Sequence, residues 1–87
     1  MVRVHIPAAL RAITQGETVL EVEGRTLGEI VSALETHSPG IESRLVKDGK
    51  LNPGLAVFAD NVQIRPYLDS KISPNAEIFF SPAISGG

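Results

Sequence analysis

The residues best suited to chemistry stand at the end of the sequence, Ile84-Ser85-Gly86-Gly87. Glycine has no side chain to collide in a narrow channel and has free dihedrals, so a paired-glycine segment can thread another protein's catalytic slot. The five residues after Pro82 reach about 17 Å when extended, enough to leave a globular body. An α-carboxyl at Gly87, with an ordinary pKa of roughly 3.3–3.7, is ionised at neutrality. It can attack the α-phosphate of ATP on a partner enzyme to give an acyl-adenylate, which then accepts sulfur or an amine. The plainer expectation is a frayed end, because termini are where disorder and tolerance to change concentrate. The sequence has no P-loop, no dinucleotide fingerprint and no paired catalytic residues. No catalytic residue is therefore assigned, and activation is expected on a partner.

A second set of candidates follows from alternation. Phe58 and Phe79 are expected on one sheet face beside Arg3 and His5, with no second helix to cover them. Aromatic and Arg residues dominate binding hot spots, so this face is read as a docking surface, the alternative being partial cover by loops 7–16 or 41–54. His5 and His37 lack acidic or thiol neighbours at ligand spacing, so they are read as solvated and no metal site is assigned. Asp60-Asn61 reads as a turn rather than a catalytic pair. Arg44, Lys47, Arg65 and Lys71 are read as a solvated face.

Local elements must position these groups. "VRVHI" puts Val2, Val4 and Ile6 on one face and Arg3 and His5 on the other, the period of a half-buried strand that Pro7 ends. "ETVLEV" repeats the pattern with Thr18, Leu20 and Val22 inward, and Gly16 suits a connection between two paired strands. Leu27, Ile30, Val31 and Leu34 then fall at helical spacing, behind a Thr26/Glu29 capping box and ahead of Ser38-Pro39-Gly40. "IESRLVKDGKLNPG" is expected to form one turn on the core and then a loop. "LAVFAD" and "EIFFSP" read as strands with Leu55, Val57, Ala59, Ile78 and Phe80 inward. Ile64 and Leu68 are expected core contacts of an irregular piece between them.

One helical stripe and several half-buried strands can hide their apolar faces only against each other. The expectation is an α+β, β-grasp (ubiquitin-like) fold: a mixed sheet of four to five strands with one main helix on one face. Residues 1–87 are expected to form a single domain, with 83–87 as a flexible C-terminal tail.

Composition narrows the function. At 43% hydrophobic and 21% charged, with a formal charge of −2, the chain lacks the clustered cation surplus of a nucleic-acid binder. The absence of cysteine excludes disulfides, thiolate metal sites and a catalytic thiol. No apolar run is long enough to span a bilayer, and the opening residues alternate rather than forming a signal-peptide block. A soluble, cytoplasmic protein that binds neither membrane nor nucleic acid is expected.

The strand-helix order, "RTLGEIVSALE" at the helix and "EIFFSPAISGG" as last strand and tail make the chain similar to the ThiS/MoaD family of ubiquitin-like sulfur carriers. It looks closer to the MoaD-like carriers, including those of a thiocarboxylate route to cysteine, than to the thiamin-pathway carriers. The resemblance implies a carrier rather than an enzyme. A ubiquitin-activating-type enzyme would adenylate Gly87 with ATP, and a thiocarboxylate would then form there as cargo for a sulfur-accepting biosynthetic enzyme. No bound cofactor is implied, and a free carrier is expected to be monomeric. Ser73-Pro74-Asn75 departs from the glycine with acidic neighbours more usual before the last strand, which leaves the partner open. Two other readings stand beside it: a protein modifier joined through the same Gly87 to lysines, and an adaptor whose sheet or edge strand binds a partner without chemistry, for which Gly86 and Gly87 are dispensable.

Overall fold

Alternation and helical spacing are realised together in the computed structural model, which describes residues 1–82. Strand β1 (Val2–His5) buries Val2 and Val4, and Pro7 turns the chain into a single 3-10 turn at Ala8–Leu10. Buried Thr14 holds the connection closed, its hydroxyl within 3.2 Å of the Arg11 carbonyl and 2.8 Å of that of Glu17. Strand β2 (Val19–Val22) runs antiparallel to β1, with Leu20 opposite Val4. It starts later than alternation suggests: Thr18 is exposed, its carbonyl accepting from the Ile6 N–H at 2.8 Å.

Helix α1 (Leu27–His37) buries Leu27, Ile30, Val31 and Leu34. Its cap differs from the expected box in one respect. The Thr26 hydroxyl accepts from the Glu29 N–H at 3.2 Å, but the Glu29 carboxylate reaches back to the Arg25 N–H at 2.8 Å, one residue beyond the cap. The Leu27 and Gly28 N–H groups are taken by the carbonyls of Ser70 and Leu68, so segment 68–70 closes the helix start.

The short helix α2 (Glu42–Leu45) is the expected turn, with Ile41 and Leu45 buried. The following stretch is not a plain loop, because β3 (Val46–Lys47) and β4 (Lys50–Leu51) pair around Asp48-Gly49. Both turn residues have positive φ, +56° and +79°, the backbone of a two-residue hairpin turn that matches strand twist. Strand β5 (Leu55–Ala59) turns at Asp60-Asn61 into the two-residue β6 (Val62–Gln63). Beyond it Ile64 packs on the core, Leu68 is only half-buried, and Ile72 and Ala76 are the buried residues of this irregular stretch.

Strand β7 (Glu77–Pro82) closes the sheet in the order β2-β1-β7-β5-β6. It pairs parallel with β1 and antiparallel with β5. The core lies between this five-stranded mixed sheet and α1, joining the helix stripe to Val2, Val4, Val57, Ile78 and Phe80. This is the β-grasp arrangement.

Candidate functional site

Strand pairing converts the expected docking face into ordered rows. Val19 pairs with His5, His5 with Phe79, Phe79 with Phe58, and Phe58 with Gln63, so these side chains cross the open face of all five strands in one line. Two residues back along β7, Glu21 pairs with Arg3 and Arg3 with Glu77, forming a charged line. Asp60 extends it by accepting from the Glu77 N–H at 3.0 Å. The sheet thus assembles all four sequence candidates, Arg3, His5, Phe58 and Phe79, on the surface opposite α1.

The two lines are joined at one corner. The His5 ring stacks on Phe79 with centroids 3.9 Å apart and planes 8° from parallel. Oε1 of Glu77 lies 3.2 Å from His5 Nε2 and 3.3 Å from Arg3 Nη1. Glu77 therefore fixes the imidazole over the Phe79 face while Arg3 offsets its charge. Phe79 keeps 37% of its surface exposed, whereas Phe58 is half-buried. A hollow of about 300 Å³ opens beside His5, lined also by Pro7, Arg11 and Val19. Loop 7–16 borders the face at this corner, and Phe79 remains open.

Such a surface can bind. A rigid aromatic beside charged groups supplies buriable apolar area with fixed polar contacts around it. Among the described residues no group of His, Asp and Glu is placed to hold a metal ion, and no helix is long and apolar enough to cross a membrane. Ile84, Ser85, Gly86 and Gly87 lie outside the described residues. The last described pair is Leu55 with Pro82, at the end of β7, the middle strand of the sheet. Sequence reasoning missed Glu77 as the group that orders the corner. Its alternation with Phe79 was visible, but its contact with His5 depends on the parallel β1–β7 register, which has no local signal.

Comparison with known proteins adds an independent line. The model of the ThiS family matches residues 4–87. The sulfur carrier protein CysO of Mycobacterium tuberculosis is 32% identical over 91 residues, covering 99% of this chain and 98% of that protein. The crystal structure of the Amycolatopsis orientalis BexX/CysO complex contains a chain that superposes with a TM-score of 0.90 at 34% identity, with full coverage of both chains. The crystal structure of SAMP1 from Haloferax volcanii matches with a TM-score of 0.70 at 26% identity, over 99% of this chain and 98% of that one.

Proposed function

Because the chain belongs to the ThiS family, we propose that it works as a sulfur carrier whose reactive atom is the Gly87 α-carboxylate. A carboxylate oxygen attacks the α-phosphorus of ATP on an activating enzyme, and pyrophosphate leaves. A hydrosulfide attacks the resulting acyl carbon, AMP and a proton leave, and the carboxylate has become a thiocarboxylate with no net change in oxidation state. The sulfur then attacks an electrophilic centre held by an acceptor enzyme. The chain contributes no general acid or base to these steps; it is carrier and co-substrate.

The observation that carries this reading is that the family match runs to Gly87 itself, with a CysO relative aligned over nearly its whole length. Gly86 and Gly87 are the residues whose freedom from side chains suits entry into a catalytic slot. The open face with Phe79, Phe58, His5 and Arg3 serves as the body's docking surface, binding the activating enzyme and the acceptor in turn. A monomeric carrier in the cytoplasm, where ATP is available, fits this cycle.

The test is the intact mass of the purified chain after incubation with ATP, sulfide and the activating enzyme. One oxygen is expected to be exchanged for one sulfur, only with ATP and only when Gly87 is present. An unchanged mass overturns the reading. Capture by lysine amines instead, seen as isopeptide adducts ending in Gly87, identifies a protein modifier.

A further inference from the structure

A group of cations on another surface is not used by the sulfur-carrier cycle. Lys47 and Lys50 face each other across the β3–β4 turn, and Lys50 in turn bridges to Tyr67. These three therefore form one outward row, while Val46 packs on the core and Leu51 is buried. Arg65 places its guanidinium 5.9 Å from the centre of the Tyr67 ring, and Tyr67 is 48% exposed. Lys71 joins Arg65 and Tyr67 in lining an open basin of about 760 Å³. Half of the chain's 8 Lys and Arg residues thus border one surface of a protein whose net charge is −2.

Two features mark this surface. Like charges directly opposite in a strand pair weaken it, so the Lys47–Lys50 pair does not serve the ribbon's stability. Among the described residues the ion pairs are those of Glu77 with Arg3 and His5, so none of the four cations is paired. Asp48 at the hairpin turn and Asp69 in the basin are the neighbouring acids, and neither lies within ion-pair distance of them.

We propose that this surface is a second docking site, separate from the open sheet face, and that its occupant is an extended acidic segment of a partner protein. Adjacent strands lie about 4.8 Å apart, so the Lys47–Lys50–Tyr67 row spans about 10 Å. Alternate carboxylates of an extended segment are about 6.8 Å apart, a spacing that flexible lysines can meet. Arg65 and Tyr67 supply the arginine and aromatic contacts that dominate protein interfaces. A nucleotide fits less well: the cations lie along a row and the flanks of an open basin. The α1 N–H groups that could cradle a phosphate are already taken by Ser70 and Leu68.

The full chain, isotopically labelled for NMR, is titrated with a short acetylated peptide of alternating glutamate and serine. A peptide with glutamine in place of glutamate and ATP serve as comparisons. Saturable shifts confined to residues 47–50 and 65–71, seen only with the glutamate peptide, are expected. Lys47→Glu with Lys50→Glu should weaken binding at least about tenfold. Neutral Lys47→Gln with Lys50→Gln should weaken it less, and salt near 1 M, with a screening length of about 3 Å, should abolish it. Shifts spreading equally to Arg3, Arg11 and Arg25, equal binding of the glutamine peptide, or a preference for ATP would each overturn the proposal. Because sulfur transfer is not the readout, this result is independent of the Gly87 mass measurement.

Discussion

Phe79 and Phe80 are neighbours in the chain with opposite fates, and the difference decides what each can do. Phe80 is 7% exposed within the core, while Phe79 faces outward under the His5 ring. Phe79→Ser should therefore cost little stability, about 0.5–1.5 kcal/mol for the lost aromatic contact plus part of its apolar burial. If the open face docks the activating enzyme as proposed, the same substitution should weaken that complex by about 2 kcal/mol or more, as removal of an interface anchor does. Thermal denaturation and a binding titration on the same preparation separate the two effects; a stability loss of about 3–5 kcal/mol would place Phe79 in the core instead. Leu34, fully buried in α1, is the opposite case. Leu34→Ala should cost about 2–5 kcal/mol in denaturant unfolding while leaving the rows of the open face in register.

Elements were legible where a repeating pattern was long enough to speak. The eleven residues of α1 carry an apolar stripe over about two turns, Leu27 to Leu34, with a cap at the start, so the helix could be placed without its neighbours. The β3–β4 ribbon offers two residues a side, too few for alternation, and its one signal was the Asp48-Gly49 turn pair. Ile72 and Ala76 were missed because their burial comes from the path of an irregular segment, not from a period. The join between α1 and α2 depends on Glu35, whose carboxylate accepts from the Glu42 N–H at 2.8 Å and the Gly40 N–H at 3.0 Å. Those N–H groups, Glu42 first and Gly40 second, hold its pKa below the ordinary glutamate value. Its folded pKa being depressed, this contribution is present above the ordinary pKa of about 4.3 and is lost as pH falls through the lower folded value. Glu35→Gln should thus flatten the acid side of the stability profile, which urea midpoints measured from neutral to acidic pH will show. An unchanged slope would mean that the carboxylate does not hold this join.

The whole molecule is closed by its least local contact. β1 lies parallel to β7, so the first strand of the chain sits beside the last, in the middle of the sheet. No sequence pattern announces that pairing; one helix covering one sheet constrains the layers, and the hand of a crossover is fixed only once the parallel neighbour is known. The same pairing lines up His5 with Phe79 and Arg3 with Glu77, which explains why the site residues were legible as a face but not as two rows. Stability should follow the same geography. β1 and β7 have paired strands on both sides, whereas β6 is a two-residue edge and β3–β4 form a separate ribbon. Hydrogen exchange in the native state is therefore expected to be slowest along β1 and β7, where amides open only with global unfolding. The Leu51 N–H on Pro66 and the Ile64 N–H on Val57 should exchange at least about a hundredfold faster, through local opening. Uniform protection across these elements would show that the ribbon and edge unfold with the centre. The cationic surface built on them would then be as rigid as the open sheet face.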